Sequence, residues 1–442
     1  MICSTDRAYF FSKGAMKTNK QKISNRVKEI INFLIEVNKA KEQPRTGLVV
    51  WRAKHLTTTA DHIFRTAFVT WIFAPKTKLN IEKTLKIALA HDICDVYARD
   101  LTPLFYYLKR TKKIMRWFRF SKEERERKWR EKFEIEKKSL LKLMKFLEPK
   151  LKNEIFSSWF NYEKWIPNEG RFVKQCDRID TLLECVEEIG TNDKITGTGW
   201  WEGTEEIVEN PSLLEFLKVI QDKFYGRKFK KIEKEKELKA ILDFLSQIGK
   251  MKRMPRRIWQ LLGVKDSLET VAGHVFSISL MAWIFGREKK ELNMERLLKM
   301  ALCHEIAAVY TNDLTPYDSI LTKGKEKREV FKKWLHLPRK EKEKIHFQHY
   351  RREKKALKKL TLKIKTPFKK EIIRLFDEYK TVSSAEARFL NQVNVLAVLL
   401  QALLYWKKDK KLQIDWMWEW ALEKCEDPII LESLDTLKEK FY

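Results

Sequence analysis

The chain repeats itself, and that constrains its fold more than any other feature. Lys41 to Arg45 (KEQPR) recurs as Lys252 to Arg256 (KRMPR). Thr59-Ala60-Asp61-His62 recurs as Val271-Ala272-Gly273-His274, and Trp71-Ile72-Phe73 as Trp283-Ile284-Phe285. The longest copy runs from Leu85 to Pro103 (LKIALAHDICDVYARDLTP) and again from Leu298 to Pro316 (LKMALCHEIAAVYTNDLTP). Late in each half, Arg171-Phe172-Val173 returns as Arg388-Phe389-Leu390. The offset moves only from 211 at Pro44/Pro255 to 217 at Arg171/Arg388. So small a drift is the mark of a duplication with short insertions, and one fold must be built twice. The repeat places domains at 16–225 and 226–442, with the charged stretch Gly226 to Lys239 as the seam.

Each copy reads as helices. Only 13 Gly and 11 Pro occur in 442 residues, too few for a strand-and-turn architecture. Apolar residues recur at helical spacing over Asn25 to Asn38, Asp61 to Phe73, Ile81 to Tyr97, Lys122 to Phe146 and Asn168 to Ile189, and over their counterparts. An all-α protein of two tandem domains is predicted. Thr196 to Gly203 is predicted to be a loop, and it carries no phosphate-loop pattern.

The net charge of +30 favours anionic partners. Two basic segments contribute much of it: Lys109 to Lys150 has 17 Lys/Arg against 7 Asp/Glu, and Lys323 to Lys359 has 16 against 5. They are open to weak nucleic-acid binding, but i,i+4 pairs such as Glu123–Arg127 favour solvated helices. Trp117, Phe118, Phe120 and Trp129 are expected to pack inward. Six scattered cysteines form no CxxC pair, so a reduced cytoplasmic location is expected. The strongest apolar run, Val395 to Trp406, is short and contains Gln401, and Met1 to Met16 has no secretory apolar core, so no membrane association is expected.

The chemistry concentrates between Ala88 and Pro103. His91 and Asp95, four apart, share one face of a predicted helix; Asp92 lies beside them and Asp100 follows. Ile87, Leu89, Ala90, Ile93 and Val96 surround them, and carboxylates among apolar neighbours are costly unless paired. A divalent metal would pair them. A His–Asp pair satisfying itself accounts for this helix alone equally well. Taken in order, however, the first half offers His62, then His91-Asp92, Asp95 and Asp100, then Asp177 on a further helix.

That order resembles the HD-domain metal-dependent phosphohydrolases, and within them the 5′-deoxynucleotidases. The resemblance rests on Pro44-Arg45-Thr46-Gly47, Asp61-His62-x-x-Arg65, His91-Asp92-x-x-Asp95, Asp100-Leu101-Thr102-Pro103, and Arg171-Phe172-Val173-Lys174 leading to Asp177. It implies that His62, His91, Asp92 and Asp177 hold a divalent metal ion and that Asp95 and Asp100 supply catalytic carboxylates or a second metal site. Arg45 would contact the substrate, with Arg65 and Lys174 as further candidates for neutralising its phosphate. A nucleoside 5′-monophosphate is the implied substrate. Phosphodiester or nucleoside-triphosphate hydrolysis, or a basic nucleic-acid-binding protein that has kept the frame, are the alternatives. Two residues depart from the family: Asp95 stands where Glu is usual, and Leu48 where tryptophan often follows Arg-Thr-Gly, with Trp51 nearby.

The second copy keeps the frame and loses ligands. His274, His304 and Asp313 remain, but Asp92 becomes Glu305, Asp95 becomes Ala308 and Asp177 becomes Asn394. We expect a catalytically silent half. Because family members are commonly dimers, it would replace a partner subunit in an intramolecular pseudo-dimer; an interaction or regulatory module is the alternative.

Overall fold

A computed structural model describes residues 13–50, 52–101, 120–189, 200–227, 233–319, 327–365 and 367–442. Trp51, Thr102-Pro103, Trp117, Phe118 and residues 196–199 of the predicted loop lie outside them. Helices α1 (Lys13–Val37), α2 (Thr46–Val50), α3 (Thr59–Phe73), α4 (Ile81–Ala90), α5 (Asp95–Ala98), α6 (Lys122–Leu143), α7 (Pro149–Lys164), α8 (Asn168–Ile189), α9 (Trp200–Glu205) and α10 (Pro211–Phe224) come first. The same order returns as α11 (Glu233–Gly249), α12 (Arg257–Leu262), α13 (Val271–Gly286), α14 (Met294–Cys303) and α15 (Ala308–Thr311). It continues with α16 (Lys327–Leu335), whose counterpart in the first copy lies outside the described residues, and then α17 (Arg339–Leu360), α18 (Phe368–Thr381), α19 (Ala385–Lys408), α20 (Trp416–Lys424) and α21 (Pro428–Phe441). Among the described residues there is no strand, only the bridges Pro44–Thr58 and Pro255–Thr270. The all-α expectation holds. Trp200 to Gly203, predicted as loop, begins α9 instead.

The centre is set by two helices that are enclosed on every side. All residues of α3 and of α13 are buried, and the two pack on each other. Each also packs on helices of its own copy: α3 on α4 and α8, α13 on α14 and α19. Helix α19 is long and apolar enough to cross a membrane, which the sequence expectation missed, but 78% of its apolar window is buried inside the molecule.

Contacts between the copies come in exchanged pairs. Trp71 Nε1 donates to Glu371 Oε2 at 3.0 Å, and its counterpart Trp283 Nε1 to Glu154 Oε1 at 2.8 Å. Lys252 Nζ reaches Asp180 Oδ2 at 3.1 Å and Glu184 Oε1 at 3.0 Å. Its counterpart Lys41 Nζ reaches Glu269 Oε1 at 2.5 Å and Gln401 Oε1 at 3.1 Å. Helix α1 packs on α21, while its repeat α11 packs on α10.

Candidate active site

The first histidine is positioned from the start of α3. The Pro44–Thr58 bridge pins the preceding loop there: Arg45 N donates to Thr57 O at 2.9 Å, and Thr59 N to Gln43 O at 3.0 Å. Thr58 caps the helix reciprocally with Asp61, fixing the first turn. His62 follows, fully buried. Its Nδ1 lies 2.8 Å from Asp180 Oδ2 and its Nε2 3.0 Å from Asp177 Oδ1. The two carboxylates are three residues apart on α8, one above the other.

The second histidine depends on a broken helix. Instead of one helix over Ile81 to Tyr97, α4 stops at Ala90, and a turn over 91–94 leads into α5. Adjacent residues of a regular helix project roughly 100° apart; this turn brings His91 and Asp92 into one cluster. His62, His91 and Asp92 offer ligand atoms within 4.8 Å of one another. His91 Nδ1 donates to Ala88 O at 2.7 Å. Its Nε2 is buried without a hydrogen-bond partner, 3.3 Å from Asp92 Oδ2. Asp177 closes the cluster against His62, and its Oδ2 accepts from the Tyr162 hydroxyl at 2.7 Å.

Arg45 spans the acids. Its Nη1 lies 3.2 Å from Asp92 Oδ2 and 3.4 Å from Asp100 Oδ1, and its Nε 3.7 Å from Glu184 Oε2. Asp100 is held by Thr46 N at 2.7 Å. These groups line a cavity of about 80 Å³ in which six acids face four cations. For His62, burial and the Arg45 charge favour the neutral ring, but hydrogen bonds to Asp177 and Asp180 outweigh them and carry its pKa up to about 9. Burial opposes charge on Asp92 and Asp177 too. His91 and Arg45 win at Asp92, His62 and Arg178 at Asp177, and both carboxyls stay well below the usual range. Asp95 goes the other way: burial, then Asp92, Asp100 and Glu136, push it well up. A centre with this surplus of acid holds a proton on His62 in place of another cation. Two imidazole Nε2 atoms and two carboxylates suit a divalent ion, and Asp180 behind His62 is the kind of carboxylate that orients a ligating histidine.

The HD-domain family matches residues 37–198 and again 248–417. The chain belongs to the HD-domain family. A human 5′-deoxynucleotidase HDDC2 is 31% identical over 167 residues, covering 38% of this chain and 69% of that protein. The Bos taurus protein of the same name is 33% identical over 165 residues, covering 37% and 67%. Among solved structures, a conserved hypothetical protein from Pyrococcus furiosus is 24% identical and covers 45% of this chain and 99% of its own, with a TM-score of 0.34.

Within the first HD copy, the structure gathers His62, His91, Asp92 and Asp177, with Arg45, Asp95, Asp100 and Lys174 on the same cavity. It does not bring Arg65 there. Arg65 is fully buried behind His62, bonded to Asp180 and to Glu187 Oε2 at 2.5 Å, so it buttresses Asp180 and is not available to a substrate. Lys174 stands 3.9 Å from the Tyr162 ring centroid. The basic segment is not wholly solvated: Phe120 and Lys128 are buried, and Trp129, Lys132 and Glu136 line the cavity. The i,i+4 pairs on α6 include Arg127–Glu131 at 3.1 Å and Lys132–Glu136 at 2.5 Å. Sequence reasoning missed Tyr162, Asp180, Glu184, Lys132, Glu136, Lys252 and Trp200, whose ring rests against Gly47. Asp180 and Glu184 carried one usable signal, their helical spacing from Asp177.

The second HD copy has the same frame with fewer carboxylates. His274, His304 and Glu305 still offer atoms within 4.8 Å of one another. Asn394 Oδ1 lies 3.1 Å from His274 Nε2, and Arg256 Nη1 lies 3.1 Å from Asp313 Oδ1. Burial lowers the pKa of His274, and that of His304 to about 3. Burial thus favours the neutral form of both rings.

Proposed function

We propose that the chain is a metal-dependent phosphohydrolase that removes phosphate from nucleoside 5′-monophosphates, with catalysis confined to the N-terminal half. One observation carries the reading: His62 and His91 are each fixed through Nδ1, so that both Nε2 atoms face Asp92, with Asp177 against His62. His62, His91, Asp92 and Asp177 would hold the ion. A divalent ion there supplies Lewis-acid polarisation of the phosphoryl oxygens and a more acidic water. Asp95 and Asp100 orient the attacking water and move its proton. Arg45 and Lys174 neutralise the phosphate. The cavity of about 80 Å³ takes the phosphate end, leaving the base toward Trp129 and Trp200. The names of the human and bovine relatives support the nucleotide as substrate. Five described cysteines are free and buried, in keeping with a reducing cytoplasm.

The silent half replaces a second subunit. The exchanged contacts of Trp71 with Trp283, and of Lys41 with Lys252, support an intramolecular pseudo-dimer, because a two-fold interface repeats each contact with its partners swapped. Lys252 then acts as a positioning residue, since it binds the carboxylate that orients His62. Phosphate release from deoxynucleoside 5′-monophosphates, with and without Mn²⁺, Co²⁺ or Mg²⁺, tests the activity. Release that needs no metal contradicts it.

A further inference from the structure

The repeat of the active-site cavity has changed character in the C-terminal half. It measures about 800 Å³, against about 80 Å³ in the first copy. Tyr162 and Trp200 return in its wall as Tyr379 and Trp416, but Arg178 and Thr181 return as Val395 and Val398. The two lysines that line the first cavity, Lys132 and Lys174, return as His349 and Asn391. The charge balance has moved from an acid surplus to four cations facing four acids. Two of those cations are neutralised within the wall: Lys380 Nζ lies 2.8 Å from Glu353 Oε1, and Arg256 Nη1 lies 3.4 Å from Glu305 Oε1. Among the described residues, seven aromatic rings line the space. Phe347, 58% exposed, and Val382, 42% exposed, give it an apolar rim.

A cavity of this size is in the range that holds small organic ligands. Aromatic walls suit a flat heterocycle such as a nucleobase. The Asp177 carboxylate is lost to Asn394, and Lys380 and Arg256 are already paired within the wall, so less is left to hold a metal-bound phosphate. We propose that this cavity binds a nucleoside, the uncharged product of phosphate removal, without turning it over. The proposal rests on reading the N-terminal half as a nucleotidase, which would make the second copy a product sensor fused to the enzyme.

Equilibrium dialysis of the full chain in EDTA against the four tritiated deoxynucleosides and their 5′-monophosphates tests it. The expected result is saturable binding of at least one deoxynucleoside, at one site per chain. Binding should be unchanged in Asp177→Ala and weakened at least about tenfold in Val398→Trp, which fills the cavity. If circular dichroism shows Val398→Trp unfolded, Trp420→Ala at the cavity wall makes the same comparison. Three results would overturn the proposal: no saturable binding to the metal-free chain, binding lost in Asp177→Ala but kept in the folded cavity variant, or monophosphates binding this site tenfold more tightly than nucleosides. Failure of the nucleotidase reading is separate, since it shows as absence of metal-dependent phosphate release whatever the dialysis gives.

Discussion

At the scale of the residue, His62 is where structure and chemistry meet. Its pKa near 9 stands above the ordinary 6.5. In the metal-free chain the stability from its proton is therefore complete below pH 6.5 and lost as pH rises through about 9. Metal must displace that proton, so affinity for Mn²⁺ in chelator competition should climb across the same window; a flat profile would contradict the assignment of His62. Lys252 is the next test. Lys252→Met leaves Asp180 and Glu184 buried with less compensation, which should cost about 3–5 kcal/mol of stability and about 10–100-fold in metal affinity. It should also move the pH window of metal binding upward, because removing a cation near Asp180 favours the charged imidazole. Lys252→Arg should restore most of both, and an unmoved window would reduce Lys252 to a packing role. His91-Asp92 and Asp177 were legible in the sequence because few chains place those types in that order. Asp180 and Glu184 looked like ordinary helical acids. Lys252 gave no signal because its partners lie across the repeat.

At the scale of the element, the helices were legible and their interruptions were not. Asn168–Ile189 was read to the residue because apolar spacing continues unbroken through it. The break after Ala90 was missed because Ala90-His91-Asp92-Ile93 contains no Gly or Pro to announce it, and tertiary contacts of the two side chains decide the turn. Arg65 was misplaced for a related reason: position on a buried helix says nothing about which side faces the cavity. Helix contacts also set which glycines matter. A Cβ at Gly170 would stand 2.1 Å from Asn161 O, where α8 meets the backbone of α7. Gly170→Ala should therefore cost at least about 1–3 kcal/mol in denaturant unfolding. Gly203 in α9 has nothing within 4 Å of such a Cβ, and Gly203→Ala should be neutral or stabilising by up to ~1 kcal/mol. Equal effects at the two positions would mean that α7 and α8 do not approach so closely.

At the scale of the whole molecule, a structural role would explain why a second half, proposed above to be without turnover, is kept. The second copy helps enclose α3, supplies Lys252 to Asp180, and exchanges with the first copy the Trp71 and Trp283 contacts and the Lys252–Glu184 and Lys41–Gln401 contacts. Cleavage near Gly226 should expose apolar surface on both pieces, and the N-terminal piece should dimerise, aggregate or lose activity in gel filtration and assay. A monomeric, soluble and fully active N-terminal piece would defeat the pseudo-dimer. The duplication itself was plain in the sequence; the exchanged pairing was not, because it joins residues more than two hundred positions apart. The account rests most heavily on one working centre and one silent one. Its most direct test is phosphate release from deoxynucleoside 5′-monophosphates by the full chain, its His91→Ala variant and its His304→Ala variant, in Mn²⁺, Co²⁺ or Mg²⁺. The account expects metal-dependent release that His91→Ala abolishes with helical content intact and His304→Ala leaves unchanged; release that survives His91→Ala, or falls with His304→Ala in a folded protein, would contradict it.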